Sequence, residues 1–300
     1  MIVSRLIRQI VALALAALGL QATTALGAAG ELQAFRVGFT SSMFVDVHRN
    51  DARAAIKVWS MLLADERGIP MEGDPLIVDG PVGGRMLREG TIDAMGMLVT
   101  EYRPLVDAQR FEPIFATRHQ GALTERYILL VHREGAVRRV ADLRGRNLLV
   151  YANPRTSLAS PWLDLVLDEA GLPTAERLVR TVASDHRLGQ VILPVFFRQA
   201  DAALVTRSGF ETMAELNPQL RQKLVVLAES VDLVPTVFVL RADYAPVFRG
   251  ALLDALEALD GTSAGRQVLT IFRSDTLEQI APSALDTAFQ VIDRHRRLDR

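Results

Sequence analysis

The feature that most constrains the fold is a pattern of strand-like and helix-like segments that occurs twice along the chain. In each half, one strand begins with aspartate and small apolar residues, Asp93-Ala94-Met95 and Asp201-Ala202-Ala203, and hydroxyl residues follow it, Thr100 and Thr206. Strands that alternate with helices favour an α/β fold with mainly parallel sheets. Two related halves predict two lobes, and parallel sheets bind ligands at the carboxyl ends of their strands. The expected binding site is therefore a cleft between the lobes.

Hydrophobic periodicity and turn residues give the segments of each half. The predicted strands of the first half are 35–40, 76–79 and 92–98, with helices at 52–67 and 85–89. Those of the second half are 147–151, 178–182 and 202–205, with helices at 161–170 and 187–197. Two further strand-like runs, 126–132 and 236–241, are predicted to cross between the lobes as a hinge. The first lobe then comprises 28–130 with 236–300, and the second lobe comprises 131–235.

The first 27 residues have the layout of a secretory signal peptide. Arg5 and Arg8 precede an apolar run at 10–20, and small residues follow at 25–27. The run is shorter than the roughly 20 residues of a membrane-spanning helix, and a retained membrane anchor is the alternative interpretation. A lipoprotein would need a cysteine, which the chain lacks. We therefore predict cleavage before Ala28 and export to the periplasm as a free soluble protein.

Composition excludes several classes of function. Without cysteine there are no disulfides, thiolate metal sites or cysteine nucleophiles. The five histidines are scattered, so we predict neither a metal site nor a cofactor. A formal net charge of −1 gives no reason to propose nucleic acid or a membrane surface as a partner. No phosphate-binding glycine loop is present, and we predict a binding protein rather than an enzyme.

The segment 147–165 is the strongest candidate for a binding loop. A short apolar strand leads into a loop that carries Thr156, Ser157 and Ser160, and a helix opens on Pro161. Hydroxyls and backbone N–H groups at a helix N-terminus suit an anion or another oxygen-rich group. Ser160 followed by Pro161 is also an ordinary helix start that needs no ligand. Both interpretations remain open at this point.

The order and spacing of several short motifs resemble the phosphate, phosphite and phosphonate class of periplasmic substrate-binding proteins of ABC transporters. The motifs are FRVGFT at 35–40, L-x-x-G-x-I-D at 87–93, DLRG at 142–145, NPRTS at 153–157 and DAA at 201–203. The resemblance covers nearly the whole chain after the signal peptide. It implies a type II fold of two lobes, each a sheet flanked by helices, that are joined by a two-strand hinge and close on a ligand.

The resemblance also implies roles for individual residues. Tyr102 matches an aromatic residue that lines the cleft, and Thr156 and Ser157 match hydroxyls that hold anionic oxygens. His186 and Asp201 match polar residues that approach the ligand. Tyr102, His186 and Asp201 also suit ordinary structural positions at a turn, a helix start and a strand end. With the facing strand ends added, the predicted ligand-binding set is Thr40, Ser41, Phe44, Tyr102, Thr156, Ser157, His186, Asp201 and Thr206.

This chain departs from the family pattern within the binding loop. The usual Ser-Thr-Ser-Gly is replaced by Thr156, Ser157, Leu158 and Ala159, so a hydroxyl and a glycine are lost. Each lost hydrogen bond to a charged oxygen costs about 1.5 to 3 kcal/mol, so we predict weakened phosphonate binding. A larger, less charged or partly apolar ligand would suit the apolar side chains expected there, Leu158, Met43, Phe44 and Met97. Arg155 and Arg207 are candidate sources of positive charge, although both also suit the protein surface.

Two functions remain open from the sequence. In the first, the protein captures a small oxyanion or organic acid in the periplasm and presents it to the permease of an ABC transporter. In the second, a membrane sensor kinase reads the same closure of the lobes, and no solute is moved. Both functions use the surfaces of the closed lobes, and in both we expect a monomer that binds a small, anionic molecule.

Overall fold

The structure, a computed structural model, describes residues 34–44, 47–106 and 111–298. The predicted signal peptide at 1–27 lies outside the described residues. Within them, strands alternate with helices around two β-sheets. The predicted α/β class and two-lobed arrangement are therefore confirmed, with one lobe built on each sheet.

The bounds of the strands and helices follow in chain order. The strands are Val37–Thr40 (β1), Leu76–Val78 (β2), Ala94–Leu98 (β3), Phe111–Arg118 (β4), Tyr127–His132 (β5), Asn147–Tyr151 (β6), Thr181–Asp185 (β7), Ala202–Thr206 (β8), Leu224–Glu229 (β9), Thr236–Arg241 (β10) and Thr276–Ile280 (β11). The helices are Arg49–Arg67 (α1), Gly80–Glu89 (α2), Val99–Val106 (α3), Ala159–Glu169 (α4), Ala175–Leu178 (α5), Leu188–Phe196 (α6), Arg207–Leu216 (α7), Gln219–Lys223 (α8), Arg249–Glu257 (α9), Ser263–Ile271 (α10) and Asp286–Leu298 (α11). Among the helices of these described ranges, none has the length and apolarity needed to cross a membrane.

The sheet of the first lobe has the strand order β11-β4-β10-β3-β1-β2. β1 runs parallel to β2 and β3, whereas the pairs that involve β10, β4 and β11 are antiparallel. β10 comes from the second lobe and enters at the edge where β3 ends, so that Thr236 lies opposite Leu98. A strand that enters at this edge must run against β3. The sheet is therefore mixed in direction, and the prediction of a mainly parallel sheet is wrong.

The sheet of the second lobe has the order β7-β6-β8-β5-β9 and repeats this plan. β6 runs parallel to β7 and β8, and β5 and β9 are antiparallel. β5 arrives from the first lobe, and its first residue, Tyr127, lies opposite Thr206 at the end of β8. Each lobe thus has three parallel strands connected through helices, and its antiparallel strands are added where the chain crosses between the lobes.

The repeated aspartate fixes one parallel strand of each lobe, β1 or β6, at its amino end. The carboxylate of Asp93 is fully buried and accepts a hydrogen bond from the backbone N of Arg36, at 3.0 Å, directly before β1. The carboxylate of Asp201 accepts one from the backbone N of Asn147, at 2.9 Å, at the start of β6. The repeat in the sequence is therefore a repeat in the structure.

Two segments cross between the sheets, 119–126 from β4 to β5 and 230–235 from β9 to β10. They pair through Glu125, whose backbone N donates to the carbonyl of Leu233 at 2.8 Å. The runs predicted as hinge strands, 126–132 and 236–241, are instead mostly internal strands of the two sheets, which explains why they are so apolar. Residues 127–130, which we expected in the first lobe, accordingly pair within the second sheet.

The C-terminal helix α11 packs on α3 of the first lobe and on α4 of the second. Arg103 of α3 pairs with Asp293 at 3.0 Å. The Nε2 atom of His295 lies 2.9 Å from the carboxylate of Asp164 in α4. The end of the chain therefore contacts both lobes, whereas the sequence led us to expect its return to the first lobe alone.

Candidate ligand-binding site

A cavity lies where the two sheets meet, at the edge where β1, β3 and β6 end. We call it the interlobe cavity. The second lobe lines it with Asn153 and Arg155 from the loop after β6. The first lobe lines it with residues from separate segments, among them Met43, Thr117, Thr236, Phe272 and Arg273. Its volume is about 30 Å³. Because that is room for a single small group, a larger solute needs the lobes to separate.

Arg155 reaches the cavity from the second lobe and is 7% exposed. Its Nε donates to the carboxylate of Glu125 at 2.5 Å, and Glu125 also accepts from the hydroxyl of Ser208 at 2.9 Å. The remaining guanidinium nitrogens donate to the carbonyls of Thr117 and Ala122, each at 3.4 Å. A guanidinium with this many partners is held in one orientation. The interpretation of Arg155 as a surface residue is therefore wrong, whereas Arg207 is partly exposed and pairs with Glu229.

Arg273 reaches the same cavity from the first lobe, in the turn after α10. Its Nη1 lies 3.5 Å from the hydroxyl of Tyr151, the last residue of β6 in the other lobe. Its own carbonyl accepts a hydrogen bond from the ring Nδ1 of His119 at 2.6 Å. Its φ of 48° places the backbone in the left-handed region, in the turn that follows α10. Arg273 therefore spans the junction of the two lobes.

An open groove that residues of both lobes line continues from the interlobe cavity. Val47 and Arg273 line both the cavity and the groove, and the groove also contains His48, His186 and Arg187. The predicted ligand residue His186 therefore lies outside the cavity, in this groove. Arg187 donates to Asp185, and these hydrogen bonds lower the pKa of that carboxyl. In the described ranges, no group of three or more acidic or histidine side chains could hold a metal ion.

The loop after β1 holds its hydroxyls against two carboxylates. Thr40 and Ser42 donate to the two oxygens of Glu101, at 2.7 and 2.9 Å. Ser41 donates to Asp79 at 2.7 Å. Glu101 thus takes the place of an external anion at these hydroxyls. Thr40 and Ser41, which we predicted to contact a ligand, therefore have hydrogen-bond partners within the protein.

The loop after β6 holds its hydroxyls against backbone groups. The hydroxyl of Thr156 accepts from the backbone N of Asn153 at 2.9 Å and donates to the carbonyl of Tyr151 at 2.7 Å. The hydroxyl of Ser157 donates to the carbonyl of Pro235, at 3.1 Å, in the crossing segment 230–235. Both hydroxyls therefore order the loop and its contact with the crossing, a role that the sequence interpretation did not include.

Three other predicted ligand residues have structural positions. Tyr102 is 2% exposed and packs on Phe111, and burial raises its pKa to about 12. Asp201 lies at the amino end of β8, whereas the cavity lies at the carboxyl end. Thr206 caps α7 and accepts from the backbone N of Gly209 at 3.2 Å. None of these three residues is among those that line the interlobe cavity.

Apolar residues predicted near the ligand are divided between the cavity and the core. Met43 lines the cavity, as does Phe272, which the sequence interpretation did not include. Phe44 packs on Phe272, with ring centres 5.4 Å apart, and therefore supports the cavity wall from behind. Leu158 and Met97 are fully buried in the core.

The sequence interpretation also missed Glu125 and Arg273. Arg273 lies in the turn before β11, and this strand is not among the predicted segments. The turn residues Ser274 and Asp275, followed by apolar Leu277, were the available signal for a strand start. No local sequence pattern marks Glu125 as part of the site, because its partner Arg155 lies 30 residues away.

Comparison with protein families supports the resemblance seen in the sequence. The family model described as the phosphonate periplasmic substrate-binding protein of ABC transporters matches residues 52–285. This range contains all strands except β1. No curated protein sequence matches the chain.

Several solved structures are similar to this one. XAC2383 from Xanthomonas citri, bound to ATP, has 16% identity and a TM-score of 0.65, over 89% of this chain and 99% of that chain. A binding protein component of an ABC phosphonate transporter (PA3383) from Pseudomonas aeruginosa has 13% identity and a TM-score of 0.59, over 90% and 88%. PhnD1 from Prochlorococcus marinus, in complex with methylphosphonate, has 12% identity and a TM-score of 0.59, over 89% and 100%. At these identities the similarity shows the fold, that of type II periplasmic binding proteins.

Proposed function

This chain belongs to the family of periplasmic substrate-binding proteins of phosphonate ABC transporters, and on that premise we propose that its interlobe cavity captures a small organic anion. One observation carries the proposal. Two guanidinium groups, those of Arg155 and Arg273, line the same cavity from opposite lobes, and none of the described residues that line it is acidic. Guanidinium groups recognise carboxylate, sulfonate and phosphonate oxygens by charge-assisted hydrogen bonds.

The position of the two arginines couples ligand binding to closure. Arg155 is fixed in the second lobe by Glu125, and Arg273 belongs to the first lobe. An anion that contacts both is bound more tightly when the lobes are together, and it therefore shifts the population toward the closed form. The closed form is what the permease of an ABC transporter receives. Because delivery to a permease is the role of this family, we propose transport rather than sensing.

The contacts that this site offers are poorly matched to a simple phosphonate. The hydroxyls of Thr40 and Ser42 are engaged by Glu101, and that of Thr156 is engaged by backbone groups. A dianion with three oxygens therefore gains less binding free energy here than in a site whose hydroxyls all donate to the ligand. Sulfonates and carboxylates, which need fewer contacts, become competitive with the methylphosphonate seen in PhnD1 from Prochlorococcus marinus.

We further propose the setting in which the protein works. Residues 1–27 direct export to the periplasm and are removed, and the mature chain acts as a monomer that releases its ligand chemically unchanged. The lobes are divided at the crossing segments 119–126 and 230–235, which place the boundary slightly before Tyr127. Closure then bends these two segments, and the contact of Ser157 with Pro235 lies at the bend.

A thermal-shift screen tests this function. Methylphosphonate, methanesulfonate, acetate and inorganic phosphate are added to the chain that starts at Ala28, and a bound anion raises the Tm through linkage to the native state. Arg273→Gln should weaken each hit about ten- to a hundredfold, because a hydrogen bond to a charged group is lost. Arg266→Gln, an exposed arginine on the preceding helix, is the matched control and should leave affinity unchanged. The proposal is wrong if none of the anions raises the Tm, or if Arg273→Gln binds them as tightly as the wild type.

A further inference from the structure

A second cavity, the apolar chamber, lies within the first lobe between its sheet and helices α1, α9 and α10. Its volume is about 50 Å³, and nearly all of its surface is apolar. Trp59 of α1, Leu256 of α9 and Val268 of α10 line it on the helix side. Apolar cavities of this kind stay dry and bind apolar groups.

The apolar chamber adjoins the interlobe cavity. Met43, Thr117, Thr236 and Phe272 line both spaces and therefore form the wall between them. Met43 has a flexible, unbranched side chain, which adapts to the shape of its neighbours more readily than a branched one. A group that leaves the interlobe cavity past Met43 and Phe272 enters the chamber directly.

A glycine in the middle of the sheet shapes the floor of the chamber. Gly96 of β3 lies opposite Phe39 on one side and opposite Phe238 on the other. The two phenyl rings approach over it, with centres 6.0 Å apart, and a Cβ on Gly96 would lie only 2.4 Å from Phe39 Cδ1. Glycine within a strand marks a close approach to the backbone. Here it gives the chamber a floor of aromatic rings.

We propose that the ligand carries a short alkyl group of about two carbons, which occupies the apolar chamber while the anionic head stays at Arg155 and Arg273. The inference rests on the proposed function, because it assigns the second part of the same ligand. Its size follows from the volume. An engineered cavity of about 150 Å³ binds benzene, with six carbons, and the chamber has about a third of that volume.

Affinity should therefore depend on chain length in a defined way. Each methylene that moves from water into the chamber raises affinity about fourfold. Ethyl compounds should bind more tightly than methyl compounds by this factor, and the gain should end near propyl. Longer chains overfill the space and should bind less tightly.

Calorimetric titration of the mature chain measures this dependence. The probes are methyl-, ethyl-, propyl- and butylphosphonate and the matching n-alkanesulfonates. Val268→Ala enlarges the chamber and Val268→Leu fills it, so the two variants should move the optimal chain length in opposite directions. Val191→Ala removes the same atoms from a fully buried site in the second lobe and should leave the optimum unchanged. Near-UV circular dichroism establishes that each variant is folded.

The possible results separate the two proposals. An optimum near ethyl or propyl that moves with Val268 supports the chamber assignment. Equal affinity for all chain lengths in the wild type would overturn it while leaving the anionic head at the arginines. An optimum that stays in place in both folded Val268 variants would also overturn it. Absence of binding by every probe would overturn the proposed function and this inference together.

Discussion

The loops that follow β1 in the first lobe and β6 in the second occupy equivalent positions but are ordered by different groups. After β1, the hydroxyls of Thr40 and Ser42 donate to the carboxylate of Glu101. After β6, the hydroxyl of Thr156 donates to the carbonyl of Tyr151. A charged side chain therefore orders the first loop, and neutral backbone orders the second.

This difference sets what each lobe offers to a ligand. The first-lobe loop holds the carboxylates of Glu101 and Asp79, which disfavour an anion at its hydroxyls. The second-lobe loop presents Arg155 to the interlobe cavity, and Arg273 meets it there. Beside its loop the first lobe has the apolar chamber instead. In the proposed function each lobe supplies one arginine to the anionic head, and only the first lobe supplies the apolar chamber.

The largest expected effect comes from Glu125→Gln in the second-lobe network. The side chains of Glu125 and Arg155 are only 4% and 8% exposed, so the substitution leaves a buried cation without its counter-charge. The free energy of unfolding should fall by about 3 to 5 kcal/mol, as measured by urea unfolding. Glu278→Gln breaks the more exposed pair with Arg118 and should cause a much smaller loss.

A double variant separates stability from binding at this network. Glu125→Leu with Arg155→Met replaces the buried pair by apolar side chains of similar size, which is often close to neutral for stability. We expect it to recover most of the stability lost in Glu125→Gln but not to bind the anions of the thermal-shift screen. Recovered stability together with wild-type affinity would show that Arg155 only supports the fold.

An intermediate effect is expected for Glu101→Ala in the first-lobe loop. It removes the acceptor of Thr40, which is fully buried, of Ser42, and of the backbone N of Leu98. Stability should fall by about 2 kcal/mol in urea unfolding, because hydrogen bonds to a charged group are lost. Thr156→Ala, which removes neutral hydrogen bonds from the second-lobe loop, should cost about 1 kcal/mol. Equal losses would contradict the distinction between the two loops, and Glu101→Gln, which keeps an acceptor, should lose less than Glu101→Ala.

Local patterns predicted much of the fold. β6 has the predicted bounds, and β8 begins at Ala202 as expected. The strand predicted at 178–182 lies instead at Thr181–Asp185, because Ala175–Leu178 forms a helical turn before it. The directions of β5 and β10 could not be predicted from the local sequence, because they depend on where the chain crosses between the sheets.

The binding site was less predictable because its contacts join distant segments. Arg273 meets Tyr151 across 122 residues of sequence. Thr156 and Ser157 have the residue types of an anion site, but whether a hydroxyl faces a ligand or its own backbone depends on the 3-10 turn Pro154–Thr156. No spacing rule distinguishes these outcomes. The chemistry of a hydroxyl-rich loop was therefore predicted, and its partners were not.

The smallest expected effect distinguishes the two lobes by their response to pH. His132, the last residue of β5 in the second lobe, has a pKa below the usual 6.5 because burial and the nearby cation Arg198 disfavour its charged form. Its Nδ1 accepts a hydrogen bond from the backbone N of Glu134 at 3.1 Å, which requires an unprotonated nitrogen. In the unfolded chain this histidine takes up its proton near pH 6.5. Below that pH the unfolded state therefore binds more protons, and the free energy of unfolding falls until the folded pKa is passed.

Urea unfolding between pH 7.5 and 5 should show this loss, and His132→Asn should reduce it. Asparagine keeps an acceptor for the backbone N of Glu134 but does not titrate. Between pH 7.5 and 5.5, hydrogen-exchange protection factors should accordingly fall more in β5 and β9 than in β1 and β3, because the protonated histidine destabilises only the second sheet. If His132→Asn has the same pH dependence as the wild type, another group sets the acid response, and the lobes do not differ in this respect.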